Sequence, residues 1–402
     1  MSLLTENLPA SSRPATPAMS GSPSFLGVSS TQLRSFGLVG ILILVAVVFQ
    51  ILTGGIFLSA RNLTNLSGQV AITAILAAGI VLVMIPGYID LSIGATVSFT
   101  AVIAAMVSAT YGFSFWETVS AVLAVGLLIG AWHALWVAWL GVPAFIVTLS
   151  SLLAIRGISL VLTDSQTISP DDSLLVISDT ALSTAWSILL PLALWAGFAA
   201  LQLREWRARH SAGIPASFAS TVGVPVVLGA IVLAGAIATT VSYRGLPVPV
   251  AIVLAVIAVT SFILRYTAFG RRLYAIGGNR QAAELAGVNL RFHGVMVLLG
   301  MGLLYGVAGL VLVARLDSAP PGAEVGLELN VIAAAVIGGT SLMGGRGTVM
   351  GAALGAILME SLANGMSLMN LPSAYQSITV GLVLLFAVYA DMRSRGTRAN
   401  AS

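Results

Sequence analysis

The chain alternates long apolar runs with short polar interruptions between residues 37 and 390. An apolar stretch of about 20 residues crosses the hydrocarbon core of a bilayer as an α-helix, since that core is roughly 30 Å thick. The pattern predicts about twelve such helices, with ten as the lower limit, at approximately 37–58, 68–86, 91–110, 118–140, 143–162, 184–201, 222–241, 247–264, 293–314, 327–343, 347–366 and 374–390.

The apolar positions run continuously along these segments instead of alternating with polar ones, which favours helices over the strands of a membrane barrel. Of the 402 residues, 58% are hydrophobic and 8% are charged, whereas about a quarter of the residues in a soluble domain are charged. The sequence therefore predicts an all-α polytopic membrane protein, in contact with membrane lipid. Glycine and proline interrupt several segments, so some helices are expected to be broken or re-entrant.

Three regions follow from this pattern. Residues 1–36 are rich in Ser, Pro and Ala and are predicted to be a disordered cytoplasmic tail. Residues 37–390 form the transmembrane domain, with a cytoplasmic segment at 270–291, and residues 391–402 form a second cytoplasmic tail. We expect no cleavable signal peptide, because the first apolar run begins late and is too long.

The arginines predict the orientation of the chain, because basic residues concentrate in cytoplasmic loops. All 18 basic residues are Arg. With the N-terminus inside, 14 of them lie in cytoplasmic segments, Arg156 lies within a span, and the outer segments hold Arg61, Arg244 and Arg315. The opposite topology would place those 14 outside. Both termini are therefore predicted to be cytoplasmic.

Two residue types are missing from the chain. It contains no cysteine, which excludes disulfides, Cys-ligated metals and a thiol nucleophile. It also contains no lysine, which excludes a Walker A phosphate loop, and it has no HExxH zinc motif. We therefore expect no catalytic residue, no metal site and no bound cofactor. If ATP is used, a separate subunit must bind it.

The most polar interior stretch is GRRLYAIGGNRQAAELAGVN, residues 270–289, on the predicted cytoplasmic side. Gly277 and Gly278 allow a tight turn. Asn279 is a favoured N-cap, and Gly287 is a favoured residue just past a helix C-terminus. The segment therefore predicts a capped helix of about two turns, which is roughly 12 Å long.

Two interpretations of this short helix remain open on these features, a solvated loop and a docking helix for a cytoplasmic partner. Spacing places Ala282, Leu285 and Ala286 on one face. Another face carries Arg280 and Glu284. An isolated helix this short is marginal in water, so tertiary or partner contacts must hold it.

Polar residues inside the spans are few. The stretch PGYIDLSIGA, residues 86–95, places Asp90 and Ser92 between two apolar runs. Acids at membrane depth usually face a cavity or a partner, although a plain helix cap at a short turn is an equal alternative. Glu360 and Asn364 share one face of a later span. These four residues are the candidates for a translocation path, with structural pairing as the alternative for Glu360.

Glycines repeat every four residues at Gly347, Gly351 and Gly355, and again at Gly302 and Gly306. This spacing lets a second helix approach closely. A phosphate-binding interpretation of the first set fails because the lysine is missing. Both sets therefore predict close helix packing.

A faint internal echo pairs PGYIDLSIGATVS and VPAFIVTLSSLL with GGTSLMGGRGTVM and LPSAYQSITVGL. The spacing between the two pieces differs by more than twenty residues. The echo indicates a weak internal duplication of membrane halves.

Taken in order, several segments resemble the permease subunits of ribose/xylose/galactose-type monosaccharide ABC importers. The resemblance covers most of residues 37–390, and the extra length around 184–241 is similar to the xylose permease branch. Tyr88 departs from the glycine usual in that family. The segments that carry the resemblance are PGYIDLSIGA at 86–95, GVPAFIVTLSSLLAIRGISL at 141–160, GRRLYAIGGNRQAAELAGVN at 270–289, IAAAVIGGTSLMGGRGTVMGAALGAIL at 332–358 and LPSAYQSITVGLVLLFAVY at 371–389.

The resemblance implies a transport subunit of the bacterial inner membrane that imports a monosaccharide, with D-xylose as the first expectation. In that family two permeases pair, so a homodimer is expected, and an external binding protein delivers the sugar. Cytoplasmic ABC ATPase subunits use ATP and Mg²⁺. No nucleic-acid partner is expected.

The resemblance also assigns block 270–289 to ATPase coupling. The implied coupling residues are Tyr274, Gly277, Gly278, Asn279, Arg280, Glu284, Leu285, Gly287 and Asn289. The alternative is an ion-coupled secondary sugar transporter, which needs titratable groups or an ion site in the spans. That alternative leaves the polar block unexplained.

Overall fold

A computed structural model describes residues 30–213, 217–243 and 245–399. Its named elements within these ranges are α-helices and three short π-helical turns. The α-helices are α1 Ser30–Leu52, α2 Ala60–Met84, α3 Ile93–Ala105, α4 Phe115–Ala134, α5 Ala144–Leu162, α6 Asp172–Asp179, α7 Thr184–Ser211, α8 Val224–Tyr243, α9 Val248–Tyr266, α10 Ala268–Gly278, α11 Arg280–Leu285, α12 Leu290–Leu316, α13 Leu327–Ile337, α14 Val349–Leu368 and α15 Ser373–Ala399. The π-helical turns are Met106–Thr110, Leu135–Trp139 and Ala219–Gly223.

The predicted all-α polytopic fold is confirmed. Eight helices of the described chain are long and apolar enough to cross a membrane, and four shorter apolar helices occupy the remaining predicted spans. The largest difference concerns the predicted span 327–343, because α13 ends at Ile337. The following eleven residues up to Thr348 form an irregular, glycine-rich segment, 338–348.

Helices extend into both ranges that composition assigned to tails. α1 begins at Ser30, within the predicted tail 1–36, and α15 continues to Ala399. Residues 1–29 and 400–402 of the two predicted tails lie outside the described residues.

The core is built around α12 and α2. Both helices are apolar on nearly every side, which is typical of helices surrounded by protein. Among the long apolar helices of the described chain, these two are buried over the largest part of their length, and α7 over the smallest. The side chains of Tyr305 on α12 and Ile75 on α2 are fully buried.

Glycines let α12 and α4 touch backbone to backbone. A Cβ atom placed on Gly302 would collide with the carbonyl oxygen of Gly126 and would lie 2.9 Å from the Cα of Gly130. One turn later, a Cβ on Gly306 would lie 3.1 Å from the carbonyl oxygen of Val122. The pair Gly302 and Gly306 therefore makes the close helix contact that its spacing predicts.

Of the three glycines in the second predicted ridge, two lie on a helix and one does not. Gly351 and Gly355 lie on α14. Gly351 contacts the backbone of Gly338, the residue that follows α13, and Gly355 contacts the backbone of Ala334 in α13. Gly347 precedes the helix, and a Cβ on it would lie 2.8 Å from a side-chain methyl of Thr340. The prediction that Gly347 belongs to a helix ridge is corrected, because the irregular segment 338–348 ends only at the cap residue Thr348.

The helix bundle has two ends that are used below as reference points. The end that carries α10, α11 and the first residue of α12 is called the α11 end. The opposite end, at the last residue of α12, is called the Leu316 end. Antiparallel backbone pairing of Ile168 with Ala319 places the end of α5 there. A 3.2 Å hydrogen bond from the backbone N–H of Asp171 to the Ser108 hydroxyl adds the end of α3.

The two pairs of similar sequence segments do not form helices with the same relative directions. α3 and α14 both follow irregular segments, and both run towards the Leu316 end, where Asn364 of α14 meets Asn62 of α2 at 2.9 Å. α5 also runs towards that end, whereas α15 starts there, after a connection of four residues that follows α14. The two echoed pieces therefore combine helices in different relative directions.

A pair of alanine substitutions in α12 tests the close contact with α4. Gly302→Ala should lower the free energy of unfolding by roughly 1–3 kcal/mol, since an added methyl group overpacks the interface. Gly300→Ala is the control, because a Cβ there meets no described atom within 4 Å. It should be neutral or raise stability by up to about 1 kcal/mol through helix propensity. Thermal unfolding of the detergent-solubilised protein measures both, and equal melting temperatures would contradict the contact.

Candidate functional site

The polar block at the α11 end folds as two short helices joined at Asn279. The Asn279 side chain accepts a 2.9 Å hydrogen bond from the backbone N–H of Ala282 and so caps α11. Gly287 has φ +81, the left-handed conformation that follows a helix C-terminus. Asn289 caps α12 in the same way by accepting a 2.9 Å bond from the N–H of Phe292. The predicted capped helix is therefore present, one residue shorter than expected.

Gly277 and Gly278 are the last two residues of α10 and do not form the predicted tight turn. A Cβ on Gly277 would collide with the carbonyl oxygen of Ile85 and the backbone N of Gly345. A Cβ on Gly278 would meet no described atom within 4 Å. Gly277 is therefore required for a close approach of three backbones, whereas Gly278 leaves room for a side chain.

One hydrogen bond at this point joins the two irregular segments that α10 contacts, and a second joins α10 to one of them. The backbone N–H of Gly345 donates to the carbonyl of Ile85 at 2.8 Å. The Tyr274 hydroxyl donates to the carbonyl of Gly347 at 2.8 Å. Burial raises the pKa of the Tyr274 phenol, against the opposing charge of Arg265, so it stays a donor at neutral pH. α10 thus contacts both irregular segments, the one that follows Ile85 and 338–348.

The outer surface of α11 is open. Ala283 is the buried residue of this helix, while Arg280, Ala282, Glu284 and Leu285 are exposed. The Leu285 side chain is 90% exposed, which is unusual for a large apolar residue on a helix outside the lipid-facing spans. Both predicted faces of α11 therefore point away from the rest of the chain.

A polar cavity of about 240 Å³ lies at the Leu316 end. Side chains of α2, α12, α13, α14 and α15 and of the segment between α12 and α13 converge on it. Its lining residues are Gln69, Ile72, Thr73, Arg315, Glu324, Leu327, Asn330, Glu360, Ala363, Asn364, Ser367 and Gln376. Two of the four predicted path residues, Glu360 and Asn364, are therefore brought together here.

Hydrogen bonds hold these two residues in place. The Thr73 hydroxyl donates to Glu360 Oε1 at 2.6 Å. Asn364 accepts a 2.9 Å bond from the Asn62 amide and donates to Gln69 Oε1 at 3.3 Å. All of these contacts cross between α2 and α14, so the cavity wall also joins those helices.

Three charged side chains face the cavity: Arg315, Glu324 and Glu360. Within the described parts of the chain, the one ion pair closer than 4.0 Å joins Arg209 and Glu205, far along the chain on α7. Burial raises the pKa of Glu324 to about 7, with a further rise from the charge of Glu360 and an opposing effect of Arg315. Sequence reasoning missed Arg315 and Glu324 as site residues because both precede or follow apolar helices at predicted loop positions.

Asp90 and Ser92, the other two predicted path residues, lie elsewhere. Both side chains are fully buried. The Ser92 N–H and hydroxyl donate to Asp90 Oδ1 at 2.8 and 2.7 Å, and the Tyr305 hydroxyl donates to Asp90 Oδ2. Asp90 therefore ties the irregular segment before α3 to the centre of α12, and it does not line the polar cavity.

A second, smaller cavity of about 30 Å³ adjoins the first. Arg156 of α5, Glu328 of α13 and Glu324 line it, together with Ser98 of α3. The backbone N–H of Glu324 donates to the Ser98 hydroxyl at 3.2 Å. The spanning residue Arg156 thus lies near the same acidic segment that borders the larger cavity.

Known proteins similar to the chain are membrane permeases. Residues 62–388 match the family described as branched-chain amino acid transport system / permease component. The chain is 39% identical to the xylose transport system permease protein of Escherichia coli K12, over 98% of this chain and 99% of the relative. It is 41% identical to the xylose transport system permease protein of Haemophilus influenzae, over 88% of this chain and 96% of the relative. It is 32% identical to the ribose import permease protein of Escherichia coli K12, over 89% of this chain and 93% of the relative. No solved structure shows a significant match.

The pKa of Glu324 predicts a pH dependence of stability. A carboxyl group whose pKa is higher in the folded protein binds more protons there, so its contribution to stability falls as pH rises from about 4.5 to about 7. Glu324→Gln removes this ionisation. We therefore expect the melting temperature of the variant, minus that of the unchanged protein, to be more positive at pH 8 than at pH 5. A difference that is the same at both pH values would contradict the assignment.

Proposed function

Because the chain belongs to the family of branched-chain amino acid transport system permease components, we propose that it is the membrane-spanning subunit of an ATP-driven importer of a monosaccharide. The relatives are named for xylose and ribose transport. D-Xylose is the proposed substrate, since the xylose permeases are the more similar of the two. ATP and Mg²⁺ would be bound by a separate ABC ATPase subunit.

The observation that carries the proposal is the exposed surface of the short helix α11. α11 presents the 90% exposed Leu285 beside the exposed charges of Arg280 and Glu284. A large apolar side chain with a polar rim is typical of a protein contact. Gly287 and Asn279 hold the short helix in shape, so it can dock without first folding. We propose that the ATPase binds this surface.

The proposed coupling runs from α11 through α10 into the bundle. Movement of α11 on ATP binding would displace α10, whose Gly277 touches the backbone of Ile85 and Gly345. These two residues begin or belong to the irregular segments that lead into α3 and α14. Glycine-rich irregular backbone absorbs changes of φ and ψ more readily than a helix does. The ATPase would thereby open and close the path for the sugar.

The remaining subunits follow from the same function. We propose a bacterial inner-membrane protein with both termini and the α11 end in the cytoplasm, as the arginine distribution predicts. Two copies would pair side by side and leave a central path, with the ATPase subunits docked on their cytoplasmic side. An external sugar-binding protein would then meet the Leu316 end, and Glu360 and Asn364 would border the sugar path.

Reconstitution tests the proposed function. Proteoliposomes that hold the permease and its ATPase, with the binding protein added outside, should accumulate D-xylose only when ATP is supplied inside. Uptake that needs a proton gradient and proceeds without the ATPase would instead favour an ion-coupled secondary transporter.

A charge placed on α11 tests the docking surface. Leu285→Asp and Glu284→Arg should each reduce co-purification of the ATPase by about tenfold or more, because hot-spot substitutions cost about 2 kcal/mol. Val176→Asp is the control, since Val176 is an exposed apolar residue of α6, remote from α11. Unchanged co-purification and unchanged ATP hydrolysis in both α11 variants would contradict docking.

Adjacent glycines offer a sharper test of coupling. Gly277→Ala should leave the α11 surface intact for binding but force apart the backbones of α10, Ile85 and Gly345, so that sugar uptake per ATP hydrolysed falls severalfold. Gly278→Ala is the matched control, because its added methyl group meets no described atom. Equal uptake by both variants would contradict the proposed route.

A further inference from the structure

We propose that the polar cavity at the Leu316 end is a binding site for one neutral monosaccharide, lined by side chains of one copy of the chain. This inference rests on the proposed function and deepens it, because it assigns the transported sugar to side chains of α2, α12, α13 and α14. Arg315, Glu324 and Glu360 are the central contacts.

The size and lining of the cavity favour a small polyhydroxy ligand. Its volume is about 240 Å³, below the roughly 300–1,000 Å³ of sites for drug-sized molecules. Carboxylates at Glu324 and Glu360 only accept hydrogen bonds when ionised, the guanidinium of Arg315 only donates them, and the amides of Gln69 and Asn330 do both. Each hydroxyl of a sugar donates and accepts, so a sugar matches this mixture.

The charged side chains keep unused hydrogen-bonding capacity. The described partner of Glu360 is the Thr73 hydroxyl, which occupies one carboxylate oxygen. Arg315 carries five N–H donors, yet within the described ranges its side chain forms no hydrogen bond or ion pair, and neither does the carboxylate of Glu324. All three side chains are partly buried. Charges withdrawn from water are costly unless they are solvated or paired, so these groups are suited to a polar ligand that enters the cavity.

The charge balance selects a neutral ligand over an ionic one. Burial and the charge of Glu360 raise the pKa of Glu324 to about 7. In the state with Glu324 protonated and Glu360 ionised, Glu360 and Arg315 leave one negative and one positive charge on the wall. An anion or a cation would then face one opposing and one repelling group, whereas a neutral sugar bridges the two.

The position of the cavity connects its occupant to the α11 end. Glu324 precedes α13, and Glu360 lies on α14. The other ends of these two helices flank the irregular segment 338–348, which contacts Gly277 and Tyr274 of α10. A sugar that draws Glu324 and Glu360 together therefore acts on the same two helices that the docking helix reaches from the opposite side.

Because the natural chain has no cysteine, a single introduced thiol reports on the cavity without background. Ser367→Cys places it at the mouth, and Ala363→Cys places a second probe on the same helix. Ser183→Cys is the control, since Ser183 is exposed at the start of α7 and makes no side-chain capping bond. The permease–ATPase complex is treated in detergent with a charged methanethiosulfonate, with and without D-xylose, D-ribose or D-galactose, and with mannitol as a matched solute.

The transported sugar should slow labelling of the Ser367 or Ala363 thiol and leave the Ser183 thiol unchanged. Labelling slows about threefold when the sugar is at twice its Kd, because the free fraction is 1/(1 + [L]/Kd). In the same background, Glu360→Gln or Arg315→Gln should shift the protecting sugar concentration upward about tenfold, as expected for removal of one charge-assisted hydrogen bond. Arg61→Gln, at an exposed arginine, should not shift it.

Two results would overturn the site. One is the absence of protection by any sugar that the unchanged importer accumulates, at both cavity positions. The other is equal protection at Ser183, which would indicate a general conformational effect. Uptake is measured after the same purified complex has been reconstituted into proteoliposomes with the binding protein outside. ATP-dependent accumulation without protection contradicts this site alone, whereas the absence of ATP-dependent uptake contradicts the proposed function.

Discussion

The meeting of three backbones at Gly277, Ile85 and Gly345 is the constraint on which the rest of the molecule depends. A side chain on Gly277 would separate them, and the 2.8 Å bond from Gly345 to Ile85 closes the contact. Irregular backbone within a membrane protein is tolerated only where protein or water satisfies its polar groups. At this point two irregular segments satisfy each other against α10. Neither segment can therefore shift without disturbing the helix that leads to α11.

This contact connects the two ends of the bundle through α13, α14 and the segment 338–348 that joins them. α13 and α14 approach each other backbone to backbone at Gly351 and Gly355, so we expect them to move as one unit. At the α11 end they are joined by segment 338–348. At the Leu316 end they carry or adjoin Glu324 and Glu360, which face the polar cavity. In the proposed function, close helix packing without intervening side chains would transmit a binding event from one end of the bundle to the other.

The buried Asp90 and the partly buried Glu360 show how surroundings give different roles to similar side chains. Both oxygens of Asp90 accept hydrogen bonds, from Ser92 and Tyr305. A buried polar group with all partners supplied by protein is a structural tie. Glu360 has one described partner, Thr73, and borders a cavity. Its remaining capacity is what makes it suited to a ligand, although the sequence presents both acids in the same way, as rare charges among apolar residues.

The sequence by itself determined the long apolar helices, the approximate limits of most of them and the caps at Asn279 and Gly287, because apolar length and backbone conformation are local properties. The ordered motifs also indicated the family. Tertiary structure alone decided which residues share a site. Thr73 and Glu360 are 287 positions apart, and neither Arg315 nor Glu324 differs locally from a loop residue. It also decided that Gly277 serves a close approach and not a turn, and that Ala283 is the face of α11 turned inward. Such facts depend on long-range packing, which no local pattern encodes.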